Sequence, residues 1–351
     1  MRVEQIAERG VRAPRAPRAE TAPAVRLRRM SGRAAGWGAA LLVLLAILLQ
    51  VIGSMALVPP GSGSRAESFH ALAGDSKLAP RPPQLTAHAA YLLDADSGIP
   101  YYALNADEQL PMASTTKIMT ALLAVEHGGL DKSVTVGADA AALVQPDNSY
   151  MGLSTGEQLT LRELLYGLLL PSGNDAAVAI ADAVGGSQAK FVAMMNARAQ
   201  ALGLTHTHYA NPHGLGAPGH YTTARDLTIL AEVAMRQPDL VKITSTFHYT
   251  IAATATHKAF DLFNGDDLIP GARDPYPGMI GVKIGYTGEA GYCQAFAVKR
   301  RGHLLIGVVL RAPGWRERDA DMRALLNWAY GQQHMPAAPA AAPYTFPSPN
   351  L

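Results

Sequence analysis

No charged side chain occurs from Ala34 to Ser64. Inside that window the run Trp37 to Val58, WGAALLVLLAILLQVIGSMALV, is apolar but for Gln50 and Ser54 and long enough to cross a bilayer, which takes about 20 residues. Nine Arg against three Glu precede it between Met1 and Arg33, a net charge of +6. A basic flank on that side keeps the N-terminus in the cytoplasm and sends the rest of the chain across the membrane. The run exceeds the apolar core of a cleaved signal peptide, roughly 7–15 residues. It therefore reads as an uncleaved signal anchor, with cleavage near Gly53 to Ala56, GSMA, as the alternative. Either way, the remainder of the chain is expected to fold outside the cytoplasm.

The exported part must be held together by its core. A lone cysteine, Cys293, cannot close an intrachain disulfide. In an apolar, strand-like run it reads as a buried, unreactive thiol rather than a nucleophile. About 250 residues is enough to bury a large core. The overall charge of +2 gives no general affinity for nucleic acid.

Composition marks the borders. Residues 1–33 form a basic tail and 34–58 the transmembrane segment. Residues 59–83 hold PPGSGSR and APRPP, a flexible and then stiff linker. A Pro/Ala-rich tail, 334–351, matches the composition of disorder. Between them, 84–333 reads as one domain. HAAYLLDADSGIPYYALN (88–105) is a hairpin signal around Asp96-Ser97-Gly98. Helical segments come after it. STTKIMTALLAVEHGG is expected to be a helix capped by its leading Ser/Thr and ended by Gly. TLRELLYGLLL has Thr160 and Glu163 at capping-box spacing, which makes Glu163 a cap rather than a deacylating base. SQAKFVAMMNARAQALG comes next, then TTARDLTILAEVAMRQ, stopped by Pro238. Strand character returns in HYTIAATAT (248–256) and in YCQAFAVKRRGHLLIGVVL, and RERDADMRALLNWAY closes as an amphipathic helix with Trp315 and Trp328 packing it. Strands at both ends of a domain with helices between them predict an α/β fold: an antiparallel sheet joined from both termini, with helices on both faces.

Three short motifs carry chemistry. In Ser114-Thr115-Thr116-Lys117, positions three apart on a helix share a face, which sets the hydroxyl beside the amine. A serine hydroxyl needs a neighbouring base to become a nucleophile, and a lysine becomes one when burial or a nearby cation lowers its pKa. An ordinary helix start with a solvated lysine fits the same letters. Ser172-Gly173-Asn174 comes after an apolar helix through Pro171, and Lys283-Ile284-Gly285 precedes a strand. Alone, each of these is weak. In this order, 58 and 111 residues apart (172 − 114 and 283 − 172), they match the S-x-x-K, S-x-N and K-T-G set of penicillin-recognising serine acyl-transferases, apart from one residue.

The flanking text, ASTTKIMTALLAVE, LLLPSGNDAAVAIA, YANPHGL, GHYTTARDL and GVKIGYTGEAGYC, closely resembles the D-alanyl-D-alanine carboxypeptidase family of low-molecular-mass penicillin-binding proteins. The resemblance implies a β-lactamase/transpeptidase-like fold without metal or other cofactor. It implies peptidoglycan stem peptides as substrate and β-lactams as covalent inhibitors. Ser114 would attack the carbonyl of the penultimate D-Ala, with Lys117 as base. Ser172 and Lys283 would relay a proton to the leaving D-Ala, and Asn174 would hold the substrate amide. The backbone N–H groups of Ser114 and Tyr286 would form the oxyanion hole, and Lys283, Gly285, Tyr286 and Thr287 would line the substrate strand. The family's larger members continue into a β-rich domain and a C-terminal membrane helix. Here the N-terminal anchor would do the tethering, with the domain facing the wall.

The departure is Ile284, where the family's threonine offers a hydroxyl to the terminal carboxylate. Alternation along a strand groups Ile284 with Tyr286 and Lys283 with Gly285. Losing one charge-assisted hydrogen bond costs roughly 1.5–3 kcal/mol, so weaker binding of D-Ala-D-Ala ends and of β-lactams is expected, with Tyr286 or Thr287 as substitutes. The alternatives are a D,D-endopeptidase, which needs no free carboxylate there, a β-lactamase, for which no second deacylating carboxylate is evident, and an inactive wall-binding relative. His206, His208, His213 and His220 lie close in sequence, but lack the spacing of a helical zinc site and read as loop residues. Arg225 reads as a helix-surface or ion-pairing residue.

Overall fold

The computed structural model describes residues 81–300 and 302–332. The apolar run, its basic flank and the tail from 334 lie outside the described residues, so their expected roles are untouched by it. Among the described residues no helix is long and apolar enough to cross a membrane.

The sheet is built from both ends of the domain. β1 (Ala89–Asp94) and β2 (Pro100–Leu104) form the N-terminal hairpin. β7 (Met279–Thr287), β8 (Gly291–Arg300) and β9 (His303–Ala312) form a C-terminal meander. The order is β2-β1-β9-β8-β7, antiparallel at each pairing. β1 lies against β9, so neither half of the sheet is complete without the other. All six β1 residues are buried, because helices cover both faces and the strand has no water-facing side.

Between the halves run α1 (Lys117–His127), the short α2 (Ala138–Ala141), α3 (Leu161–Leu169), α4 (Asn174–Gly185), α5 (Gln188–Ala201), α6 (Ala224–Met235) and α7 (Pro238–Thr244). α6 packs on one sheet face. The terminal α8 (Trp315–Gln332) packs on the other, over Phe296, Val298, Leu305 and Val309. α1 is buried over eight consecutive residues from Lys117 to Ala124, the mark of a helix enclosed by its neighbours. This agrees with the α/β sheet-and-helix arrangement read from the sequence.

Three local expectations are corrected. The STTK segment is not a side-chain-capped helix start: Ala113–Thr116 is a 3₁₀ turn and no side chain caps the helix after it. HYTIAATAT yields only β5 (His248–Ile251), paired with β6 (Phe260–Phe263) in a separate two-stranded sheet. Trp315 does not pack inside the last helix. It is 37% exposed, with the guanidinium groups of Arg273 and Arg316 each 5.0 Å from its ring centre, whereas Trp328 meets Tyr102 edge to face. β3 (Ser133–Thr135) and β4 (Gln158–Thr160) form another small sheet, from which Thr160 starts α3 with the expected reciprocal cap to Glu163.

Candidate active site

Lys117 begins α1 yet is fully buried. Its Nζ lies 2.9 Å from Ser114 Oγ, 2.7 Å from Asn174 Oδ1 and 2.6 Å from the His213 carbonyl oxygen. Burial, and then the charge of Lys283, push its pKa well below the usual lysine value, against the pull of Asp175. A neutral amine has two hydrogens and one lone pair. The carbonyl and the amide oxygen can only accept, so they take the two hydrogens and aim the lone pair at the Ser114 hydroxyl. That is the geometry of a base poised on a nucleophile.

The turn carrying Ser114 is held from behind. His220 is kept neutral, its pKa lowered to about 4 by burial and the nearby His208. Its Nδ1 accepts from the Ala210 N–H at 3.0 Å. The ring proton therefore sits on Nε2 and is donated to Thr116 Oγ1 at 2.7 Å, which donates to the Ala113 carbonyl. Gly214, with φ +95°, presses on the same carbonyl, and a Cβ there would stand 2.0 Å from its oxygen. Ala113 itself has φ +48° and Ser172 φ +65°. Such strain in a residue with a side chain costs on the order of 1–3 kcal/mol and persists where surrounding structure over-determines it.

The second wall is the Ser172–Asn174 loop. Buried Asp175 clamps it by accepting from the N–H groups of Met151, Gly152 and Leu153 at 2.8–2.9 Å. The Ser172 hydroxyl is buried without a hydrogen-bond partner among the described residues. Leaving a buried hydroxyl unpaired costs roughly 1–3 kcal/mol, so it awaits one from a bound molecule.

The third wall is β7, an edge strand. Lys283 and Gly285 are buried, whereas Ile284 is half-buried and Tyr286 is exposed, the alternation expected. A Cβ on Gly285 would lie 2.9 Å from the Ser114 nitrogen and 3.1 Å from that of Thr115, so only glycine lets the strand approach the nucleophile turn this closely. Lys283 Nζ donates to the Ile284 carbonyl at 3.1 Å. That carbonyl therefore faces the cleft, and with the period of two along a strand the Tyr286 N–H faces it too. The Tyr286 N–H and the Ser114 nitrogen, which a Cβ on Gly285 would approach to 2.9 Å, are the two candidate donors to an oxyanion.

Lys283 has its pKa lowered to about 7 by burial and by Arg318, opposed by Asp266. Arg318 and Asp266 were not singled out in the sequence. Arg318 is 5% exposed at the start of α8 and paired with Asp319. Asp266 accepts from Gln294 Nε2 at 2.8 Å and from the Leu268 N–H. Nor were Asp175, Asn211 and Thr116. Asn211 Oδ1 accepts from the His213 and Gly214 N–H groups and shapes the turn that presents the His213 carbonyl. The NPHG text carried a turn signal, but the partner of that turn lies about a hundred residues away. Ile284 points its Cδ1 towards Gly265, beside Asp266.

Other residues take structural parts. Cys293 is fully buried, its thiol raised to about 11 by burial. Arg225 makes a two-pronged pair with Asp107 and reaches the Tyr91 hydroxyl. His213 is buried and lowered to about 3, first by burial and then by Lys117. His206 and His208 sit on the loop outside this cleft, His208 held by the Gly219 carbonyl.

A family model described as D-alanyl-D-alanine carboxypeptidase matches residues 76–314. The chain is 39% identical over 250 residues to the D-alanyl-D-alanine carboxypeptidase DacF of Bacillus subtilis, covering 70% of this chain but only 62% of that protein. It is 36% identical over 262 residues to a Streptomyces sp. K15 protein of the same description, covering 71% and 88%. The crystal structure of the Streptomyces K15 DD-transpeptidase superposes with a TM-score of 0.67 at 34% identity, covering 72% of this chain and all of that one. Penicillin binding protein 5 from Haemophilus influenzae superposes at 0.65 with 32% identity, over 72% and 73%. The chain belongs to the D-alanyl-D-alanine carboxypeptidase family of serine peptidases.

Proposed function

We propose that the protein is a serine-type D-Ala-D-Ala carboxypeptidase that removes the terminal D-Ala from peptidoglycan stem peptides. The observation that carries this reading is the buried Lys117 amine, 2.9 Å from Ser114 Oγ, with both other contacts made to acceptors. Lys117 takes the Ser114 proton as Oγ attacks the penultimate D-Ala carbonyl. Negative charge on that oxygen is met by the N–H groups of Ser114 and Tyr286. Losing one such donor typically costs ~10²–10³ in rate. The C–N bond then breaks, and the proton held by Lys117 passes through Ser172, the orphaned hydroxyl, to the leaving amine, with Lys283 behind Ser172, which leaves Lys117 neutral again. Asn174 shares its amide between Lys117 and the substrate. Water, deprotonated by the same lysine, hydrolyses the ester and frees Ser114.

Ile284 leaves this machinery intact. The β7 backbone at 284 and 286 faces the cleft whatever side chain stands between, and the charges of Lys283 and Arg318 remain for a terminal carboxylate. β-Lactams, which present the same carboxylate and acyl group, are inhibitors that acylate Ser114. The run 37–58 anchors the protein in the membrane with the domain on the outer side. The likeness to the Streptomyces K15 DD-transpeptidase supports a second outcome for the acyl-enzyme, transfer to an amine instead of water.

The test is D-alanine release from diacyl-L-Lys-D-Ala-D-Ala by the full-length protein beside a Ser114→Ala control. Release that disappears in the control is expected. Silence on this peptide with cleavage of cross-linked muropeptides would replace the reading with an endopeptidase, and silence on both would replace it with a binding protein.

A further inference from the structure

Gln294 stands directly opposite Ile284 in the β7–β8 register, so both side chains leave the sheet on one face. It is the face that α8 covers over Phe296 and Val298. Gln294 is fully buried. Its Nε2 donates to Asp266 Oδ2 at 2.8 Å, while its Oε1 is buried without a hydrogen-bond partner among the described residues. A polar core position left half-satisfied is a feature of functional sites rather than of packing. What this one holds in place is a carboxylate, itself 3% exposed.

The segment carrying Asp266 is tied to two walls of the cleft. Asn264 Nδ2 donates to the Thr244 and Thr246 carbonyls at 3.1 and 3.2 Å, and its Oδ1 accepts from the Asp266 N–H at 3.0 Å. The Gly265 N–H donates to the Leu170 carbonyl, two residues before Ser172. On the other side Ile284 Cδ1 closes over Gly265, 3.2 Å from where a Cβ would stand. Asp266 Oδ1 accepts from the Leu268 N–H at 3.0 Å. An acid is thus fixed where the Ser172 loop meets β7, with an isoleucine covering the glycine next to it.

Burying a carboxylate costs several kcal/mol unless opposite charge compensates it, and both hydrogen-bond donors to Asp266 are neutral amides. The charged groups around it are Lys283 on β7, Arg318 and Asp319 on α8, and Asp267 beside it in sequence. Lys117 on α1 also faces Lys283 and is kept neutral, and burial keeps the proton on the Cys293 thiol of β8. Arg318 is held by Asp319 at 2.7 Å. Lys283 is therefore the cation on which Asp266 can act, against the burial and the Arg318 charge that both disfavour its protonated form. The inference rests on the carboxypeptidase reading, in which a charged Lys283 attracts the terminal carboxylate and stands behind Ser172.

We propose that Asp266, aimed by Gln294, is a positioning residue for acyl transfer: its buried negative charge keeps a proton on Lys283, so that this amine meets the substrate as a cation. Asp266 touches no reacting atom and acts through the lysine. Gln294 keeps the acid ionised by donating to it from the strand opposite Ile284.

The test is the pH profile of kcat/KM for D-alanine release from diacyl-L-Lys-D-Ala-D-Ala by the full-length protein, beside Asp266→Asn and Gln294→Met. Asp266→Asn keeps the size and removes the charge. Its alkaline limb should move down by about one pH unit, the lower end of the effect of one neighbouring opposite charge. The rate should then fall about tenfold above pH 7 and stay near that of the unaltered protein at the acid end of the profile. Gln294→Met acts from another strand and should move the limb the same way by less. A merely structural role would lower the rate equally at each pH. Limbs that stay in place or move up in both variants would overturn the positioning role and leave the carboxypeptidase reading intact. No D-alanine release by the unaltered protein would overturn both.

Discussion

Two lysines with different duties sit within one cleft. Lys117 must be neutral to accept a proton, and its burial, reinforced by the Lys283 charge, makes it so. Lys283 stands at about 7, so near neutrality part of the population carries the charge that attracts a carboxylate and part does not. As pH rises through about 7 the free enzyme loses that charge, so kcat/KM for D-Ala-D-Ala peptides and acylation by penicillin should both fall on the alkaline side. A pH profile of kcat/KM reports groups of the free enzyme, and Lys283→Arg should move the alkaline limb upward. A limb that does not move would assign it to another group. Ile284→Thr should raise the rate of acylation by penicillin by about ten- to a hundredfold, since a hydrogen bond to a charged group is worth roughly 1.5–3 kcal/mol. An unchanged rate would show that Arg318 and Lys283 hold the carboxylate unaided.

At the scale of elements the site is a matter of three walls pressed together. Gly285 sets how near β7 comes to the Ser114 turn. Gly285→Ala places a methyl 2.9 Å from the Ser114 nitrogen and should part the two oxyanion donors, lowering kcat by about 10², of the order seen when one donor is lost, with a smaller change in KM. The His220–Thr116–Ala113 chain fixes the turn from the other side. Thr116→Val keeps the shape and removes the hydroxyl, leaving the buried Ala113 carbonyl and His220 Nε2 unpaired, so a stability loss of about 1–3 kcal/mol is expected. Urea denaturation beside the rate of penicillin acylation would separate the two effects.

For the whole molecule, the buried lysines tie activity against stability. The folded-state pKa of Lys283, about 7, lies below its unfolded value of about 10.4. Between those values the unfolded chain binds a proton that the folded one does not. Stability is therefore lost as pH falls from about 10 to about 7 and is level below that. For one fully buried group the swing is on the order of a few kcal/mol. Lys283→Met should raise the denaturation midpoint at pH 7, flatten its rise towards pH 10, and lose D-alanine release. A variant no more stable at pH 7 would mean that Asp266 and water already compensate the charge. This is the expected conflict between a charged, enclosed site and a stable core.

The order of motifs, the Ser–Lys spacing, the capping box at Thr160 and Glu163, and strands at both ends around a helical middle were legible in the chain, because each is a local pattern of a few residues or a long-range order of such patterns. The 3₁₀ turn at Ala113–Thr116 was not legible. Its geometry is imposed by Gly214, His220 and β7, none of them near in sequence. The same holds for Asp175, Asp266 and Arg318, which are ordinary polar letters until folding removes water from around them. Periodicity and spacing were enough to say where the main strands and helices form, and the family resemblance carried by the ordered motifs named the candidate nucleophile and base. It took the packed fold to make Lys117 dry enough to be neutral, to leave the Ser172 hydroxyl without a partner among the described residues, and to bring Asp266 and Arg318 to bear on Lys283. Desolvation and hydrogen-bond completion depend on what surrounds a residue in space.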